Sequence, residues 1–446
     1  MKEVIHKLSL KLNISQIILL GFAGVILLGA FLLMLPISSK AGVWTNPLDC
    51  LFTTTSAVCV TGLIVHDTAT YWTVFGQFVI ILLIQIGGLG VITVSMMLAL
   101  LVGKKIGLRQ RSMMQSASSI PTIGGIVKMT KFIIGGTFLI EAIGAVMMAP
   151  VFIKDFGWLQ GIGYALFHSI SGFCNAGFDL MGVRQPYSSL TSYSDNTIIN
   201  VTIMALIAIG GLGFVVWKDV LTHKFHFKQF RLHTKVVLVT TGLLILIPAL
   251  YFYFIEFTEY SGKERVLVSL FQSVTPRTAG FNTADYSTMS DSGILLSTIL
   301  MMIGGSPGST AGGFKTTTFT IFVCLIIATV ARHKNVTVFK RRIALEIVRD
   351  AVALIGIYFT LLIIGSFIIC TYEGVTMMQS LFECASALGT VGLTTGITPT
   401  LSSLSKVILI SFMYFGRVGG LTLIYAAVRR ENTHAGQAPA EGIMVG

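Results

Sequence analysis

The stretch Leu51-Phe52-Thr53-Thr54-Thr55-Ser56-Ala57-Val58-Cys59-Val60-Thr61-Gly62-Leu63 decides how this chain is read, because it returns three times. Leu166-Phe167 leads through Ser171 and Cys174-Asn175-Ala176 to Gly177-Phe178. Leu270-Phe271 leads through Thr275-Pro276-Arg277-Thr278-Ala279 to Gly280-Phe281, and Leu381-Phe382 through Ser386-Ala387 and Thr390-Val391 to Gly392-Leu393. The glycines stand about 110 residues apart, a period that marks one structural module used four times.

Between each Leu-Phe and its glycine lies about one short helix of small and polar residues, well below the ~20 that a spanning helix needs. The economical reading is a helix that enters the membrane and an extended glycine-bearing segment that returns to the same side. Such backbone is tolerated at membrane depth only where protein buries it or it lines water. A single copy is better read as a glycine that lets two helices approach closely. Four copies favour a ring of backbone carbonyls, the arrangement that holds a dehydrated monovalent cation. Carbonyls replace hydration oxygens without adding fixed charge, and glycine permits the backbone angles that turn them inward. Short helices aiming their C-terminal ends at the axis would add partial negative charge there.

Composition agrees with a membrane chain. Of 446 residues 54% are hydrophobic and only 11% charged, with a mean hydropathy of +0.83; soluble domains carry about 25% charged residues. Ile14–Leu35 reads as a retained span, not a cleaved signal. The net charge of +12 follows topology and not nucleic-acid binding. Lys and Arg gather at the N-terminus, at 104–131, 218–235 and 315–349, and at Arg429 and Arg430. The alternate loops carry Asp67, Asp155, Asp179, Asp195, Glu256, Glu259, Asp285, Asp291 and Glu373. Basic residues stay on the cytoplasmic side, which places both termini there and leaves a basic face for anionic membrane lipid or a cytosolic partner. The six cysteines form no C-x-x-C pair and read as small buried packing residues.

The expected fold is an all-α polytopic membrane protein. Four parallel span–pore helix–span repeats are arranged pseudo-fourfold around one central pore, with eight transmembrane segments and four re-entrant pore helices. The repeats divide at 1–115, 116–226, 227–345 and 346–446. Asn46 followed by Pro47 reads as the cap of the first pore helix, and Ser261 with Glu264 as a capping box for the third. Second spans are expected over 75–101, 197–220 and 407–428. The third repeat is the exception: Gly304-Gly305-Ser306-Pro307-Gly308-Ser309-Thr310-Ala311-Gly312-Gly313 cannot continue a helix. That break falls where a pore would pass below the carbonyl ring. It also nearly matches the phosphate-binding G-x-x-x-x-G-K-[ST], but Phe314 intervenes before Lys315 and no strand precedes it.

Arg417, inside the last span, is costly in a bilayer and is expected to face the pore or the broken loop as a gate residue. Arg277 is expected to be a salt-bridged strut near the outer mouth, and His168 a buried, hydrogen-bonded histidine. No nucleophile–base set supports an enzyme. A secondary transporter with inverted repeats is disfavoured because all four copies fall on the acidic side.

At these residues the sequence resembles the Trk/Ktr/HKT superfamily of potassium transporters, most closely the Ktr-type membrane subunit of bacteria. Val-Thr-Gly-Leu, Asn-Ala-Gly-Phe, Thr-Pro-Arg-Thr-Ala-Gly-Phe and Gly-Thr-Val-Gly-Leu at the four returns carry the resemblance, with Leu-His-Thr-Lys at 232–235 and Gly-Arg-Val-Gly at 416–419. It implies a selectivity filter of Cys59, Val60, Thr61 and Gly62; Asn175, Ala176 and Gly177; Thr278, Ala279 and Gly280; and Thr390, Val391 and Gly392. It further implies a gate at the 304–313 loop with Arg417, potassium as the ion carried, and no cofactor in this chain. The expected partners are a second copy, forming a homodimer, and a cytosolic octameric ring that binds ATP or ADP. The tail Ile443-Met444-Val445-Gly446 is expected at the dimer interface.

Overall fold

The computed structural model describes residues 14–101, 125–224 and 226–420; the basic segment at 102–124, Arg429, Arg430 and the tail lie outside them. Helices α1 (Ile14–Met34) and α2 (Pro47–Val58) are followed by α3 (Val74–Leu89) and α4 (Val91–Leu101). Next come α5 (Ile126–Phe156), α6 (Trp158–Cys174), α7 (Thr197–Leu212) and α8 (Phe214–His223). A third group comprises α9 (Leu232–Tyr251), α10 (Gly262–Val274), α11 (Asp291–Met302) and α12 (Thr316–Val330). Helices α13 (Leu345–Glu373), α14 (Met377–Gly389) and α15 (Ser403–Val418) complete the order. A two-residue ribbon, Thr337–Val338 against Arg341–Arg342, joins α12 to α13.

Helices α1, α5, α9 and α13 are each long and apolar enough to cross a membrane. Their outer faces are bare hydrocarbon: Leu27 and Leu28 on α1 are each 63% exposed, and Phe367 on α13 is 66% exposed. Apolar surface on this scale is stable only against lipid or another protein. The shorter α2, α6, α10 and α14 pack against the long helices and lie inside, their C-terminal halves buried. Asn46 caps α2 as expected, its side chain accepting from the Leu48 amide, with Pro47 at the first turn. The box expected at Ser261 does not form: that side chain makes no cap bond, and Glu264 accepts from Ser194 Oγ at 2.6 Å. A capping box does close at Thr376 and Gln379 on α14.

The second spans differ most from expectation. They are expected to be continuous except for the third, yet the first and second are interrupted as well, and the fourth has a break at Gly419, next to the end of the described residues. Gly90 parts α3 from α4, Gly213 parts α7 from α8 with a bend of 95°, and Gly419 ends α15. Their φ values of 84°, 91° and 92° lie in the left-handed region that glycine alone enters freely. The wide break between α11 and α12, at 303–315, is the fourth member of a set.

Candidate functional site

The four return segments meet at one place. A methyl carbon placed on Gly62 would lie 2.6 Å from the Ala176 carbonyl oxygen, and one on Gly177 would lie 2.8 Å from that of Ala279. One on Gly280 would meet the Val391 oxygen at 2.4 Å, and one on Gly392 the Thr61 oxygen at 2.1 Å. Each glycine thus abuts the strand of the next, and the fourth abuts the first. All four have positive φ: 96°, 70°, 82° and 96°. So do the residues two positions earlier, Val60 (51°), Asn175 (58°), Thr278 (67°) and Thr390 (52°). For the three β-branched residues, Val60, Thr278 and Thr390, this is a strained conformation of the kind that clusters at functional sites, whereas Asn175 enters it more readily.

Hydroxyls from the short helices hold the strands. Ser56 carbonyl accepts from the Thr61 amide at 2.8 Å while its Oγ accepts from the Gly62 amide at 3.0 Å. Ser386 repeats this with Val391 at 2.8 Å and Gly392 at 3.0 Å. In the second strand the Ser171 carbonyl accepts from the Ala176 amide, and Ser171 Oγ donates to Phe178 O at 2.7 Å. In the third, Thr275 does both jobs for Ala279 and Phe281, one place later in its motif. The last carbonyls of these helices pack on glycines of the neighbouring spans. A methyl on Gly87 would meet Val58 O at 2.1 Å, one on Gly210 Phe173 O at 2.1 Å, and one on Gly416 Leu388 O at 2.2 Å. Close helix approach, the alternative reading of the ring glycines, is therefore the role of these span glycines.

The broken loop lies directly against the ring strands. Gly304–Ser306 and Thr310–Gly313 are buried; Pro307, Gly308 and Ser309 are partly exposed. The Ser306 amide donates to Gly211 O at 2.9 Å, the Phe214 amide to Gly308 O at 2.9 Å, and the Thr310 amide to Gly210 O at 3.3 Å. A methyl on Gly312 would lie 2.0 Å from Thr390 Oγ1, so the loop also touches the fourth strand. Arg417, on the last turn of α15, donates to the Thr310 and Gly87 carbonyls, and to that of Gly88 at 3.3 Å. Lys315 Nζ donates to Ala311 O at 2.8 Å and Gly312 O at 3.2 Å. Two basic side chains therefore engage three successive loop carbonyls, Thr310, Ala311 and Gly312.

Other expected residues fall as follows. Arg277 is buried and makes no salt bridge: its guanidinium donates to Thr241 Oγ1 at 3.3 Å, and Nε has no partner. It lies on the loop side of its strand, where it lines a small cavity with Ile207, Ala208, Gly211, Ile245, Val274 and Gly305. Among the described residues no carboxylate pairs with it or lines that cavity, which is why the expected strut is absent. His168 is buried between two backbone partners, Nδ1 on Tyr164 O at 2.7 Å and Nε2 accepting from the Leu180 amide at 3.3 Å. The described residues contain no cluster of three or more His, Cys, Asp or Glu able to hold a metal, and their cysteines are free.

Sequence reasoning missed two acids. Glu383 on α14, fully buried, accepts from Thr398 Oγ1 at 2.8 Å, the Thr395 amide at 3.2 Å and Thr394 Oγ1, pinning the segment after Gly392. Asp67 ties the loop after α2 to the loop after α6 by accepting from the Tyr187 amide at 3.0 Å. Burial, reinforced by the charge of Asp67 and opposed by the Met181 amide, pushes Asp179 beside it up to about 7.

The TrkH family of sequences, described as cation transport protein, matches residues 13–434. The potassium/sodium uptake protein NtpJ of Enterococcus hirae is 39% identical over 457 residues, covering 100% of this chain and 99% of that protein. The Ktr system potassium uptake protein B of Bacillus subtilis is 40% identical over 428 residues, covering 94% of each. The crystal structure of the potassium transporter TrkH from Vibrio parahaemolyticus superposes with a TM-score of 0.71 at 20% identity, over 92% of this chain and 83% of that one; at that identity the likeness is one of fold. On this coverage the chain belongs to the TrkH family of cation transport proteins, multi-pass membrane transporters and not enzymes.

Proposed function

We propose that this chain carries potassium across the plasma membrane through a selectivity filter made by the four return segments. The observation that supports it is the closed contact ring of Gly62, Gly177, Gly280 and Gly392, each two residues after a left-handed neighbour. In that backbone the filter residues are Cys59 to Gly62, Asn175 to Gly177, Thr278 to Gly280 and Thr390 to Gly392. Their carbonyls replace the hydration shell of a bare cation. The four groups of helices are four parallel repeats of span, pore helix and broken span, which makes eight crossings in all. The loop at 304–313, latched by Arg417, is the gate: bonded to loop carbonyls, the guanidinium bars cations electrostatically as well as sterically.

Both relatives described above carry potassium in their names, and one belongs to a named Ktr system. The reading extends to partners: as the resemblance of the return motifs and of Gly-Arg-Val-Gly at 416–419 implies, this chain works as a homodimer with a cytosolic nucleotide-binding ring. Its Lys and Arg distribution supports a cytoplasmic position for both termini.

Potassium uptake in transport-deficient cells expressing this chain tests the filter, with Gly62→Ser and Gly392→Ser beside wild type. Both substitutions are expected to relax potassium preference over sodium. Wild-type selectivity in both would remove the filter assignment.

A further inference from the structure

Among the four residues two places before the ring glycines, Asn175 alone has a side chain that both donates and accepts through separate atoms. It is fully buried. Its Nδ2 donates to Thr278 Oγ1 at 3.4 Å and to Arg277 O at 3.5 Å, both on the third strand. Its Oδ1 faces Thr310 of the broken loop, whose hydroxyl lies 3.5 Å away and also 3.2 Å from Phe173 O. The carbonyl of that same Thr310 accepts from Arg417. Gly210 keeps this spot clear: a methyl there would lie 2.9 Å from Asn175 Oδ1 and 3.0 Å from Thr310 Oγ1.

We propose that Asn175 is a positioning residue that couples the gate to the filter, with Thr310 as its counterpart on the loop; this rests on the filter-and-gate reading above. The Thr310 hydroxyl has one proton and two acceptors, so it can serve Phe173 O or Asn175 Oδ1 but not both strongly. The contacts of Asn175 stand at the long end of hydrogen bonding, where a shift of about half an ångström breaks them. Withdrawal of the loop therefore frees the Asn175 amide. It then lets go of the Thr278 hydroxyl and the Arg277 carbonyl, so that the second and third strands lose their shared register. Ion preference in this protein depends on whether the loop is seated. Among the described residues no other strand makes a side-chain hydrogen bond to the loop: Val60 has no polar side chain, Thr278 Oγ1 accepts from Asn175, and Thr390 Oγ1, though packed on Gly312, has no partner.

The test is a double-mutant cycle in proteoliposomes containing the full chain, reading the sodium-to-potassium ratio of half-saturating concentrations, which is high where potassium is preferred. Asn175→Ala and Thr310→Val are each expected to lower that ratio about fivefold, and the double variant no further than the worse single, as coupled residues behave. Thr310→Ser, which keeps the hydroxyl, restores the ratio lost in Thr310→Val. Multiplying effects in the double variant, or a serine that fails to rescue, overturn the coupling. Should Asn175→Ala not fold, the Thr310 pair still decides: an unchanged ratio in Thr310→Val is equally fatal. Gly62→Ser run alongside separates the two readings. Where it shifts the ratio and the cycle shows no coupling, only the coupling falls; where it shifts nothing, the filter falls first.

Discussion

Gly62 and Gly392, from opposite ends of the chain, stand so close that an ideal methyl carbon on Gly392 would lie 2.8 Å from the Gly62 Cα and 2.1 Å from the Thr61 carbonyl oxygen. Backbone of the first return segment and backbone of the last therefore touch with nothing between them, and this contact closes the ring. Any side chain there must push a strand aside.

Gly177→Ala measures that constraint. At φ 70°, with the Ala279 oxygen 2.8 Å from the added carbon, the substitution is expected to cost ~1–3 kcal/mol of strain and to abolish potassium preference. Gly242→Ala on α9, where an added methyl meets nothing, is expected to be neutral or to stabilise by up to about 1 kcal/mol. Thermal melting and uptake assays of the two variants check the contrast.

Removing the latch on the loop should open it. Arg417→Ala removes the guanidinium bonds to the Thr310, Gly87 and Gly88 carbonyls, of which Gly87 keeps the Gly90 amide. Raised basal potassium flux under conditions that keep the wild type quiet is expected, read as efflux from loaded vesicles. Equal basal flux in variant and wild type would remove the gate assignment.

Arg277 separates charge from packing. Arg277→Lys keeps a buried cation but loses the donor to Thr241; Arg277→Met removes the charge altogether. If the guanidinium acts by bonding, both variants lower the melting temperature, by an amount equivalent to ~1–3 kcal/mol. If its buried charge is chiefly a cost, Met is better tolerated than Lys. Melting curves of the purified variants rank the two.

Asp179 makes stability depend on pH. Its carboxyl, raised to about 7 chiefly by burial, is ordinarily half-ionised near ~3.9 in an unfolded chain. A raised carboxyl pKa contributes stability that is complete below the unfolded value and is lost as pH rises through the folded one. Asp179→Asn keeps the Oδ1 that accepts from the Met181 amide at 2.8 Å. It is expected to raise the melting temperature at pH 8 and leave it little changed at pH 4. A uniform shift at all pH values would contradict this.

Lys406 Nζ lies 2.8 Å from Asp49 Oδ1, joining the start of α15 to the start of α2, with each side chain 13% exposed. Breaking a pair this sheltered falls between the surface and buried cases, so Lys406→Met is expected to cost ~1–3 kcal/mol. Denaturant titration in detergent measures it.

Much of this was legible in the sequence because the information is local and repeated. Asn46-Pro47 announces the start of α2 from two residues alone. The glycine and proline density of 304–313 breaks α11 from α12 whatever surrounds it. Gly90, Gly213 and Gly419 were not legible as breaks, since a lone glycine costs a helix only ~1 kcal/mol and helical patterns run straight through it. The Ser261–Glu264 pattern promised a box that never formed, because Ser194 supplied a competing donor to Glu264. Arg277 was placed at the mouth by its neighbours in sequence, whereas packing put it on the loop side beside Gly305.

The amino-acid sequence by itself determined that this is a multi-pass membrane chain, that one Leu-Phe-to-glycine motif is written in it four times, and that a glycine- and proline-rich break follows the third copy. Those are consequences of composition and period, which need no knowledge of neighbours. Only the tertiary structure decided that Gly62 meets Gly392, that Arg417 and Lys315 share the carbonyls of one loop, and that Asn175 touches both loop and strand. Contacts between groups so far apart along the chain depend on how helices pack, and no local pattern of residues encodes a distance across that packing.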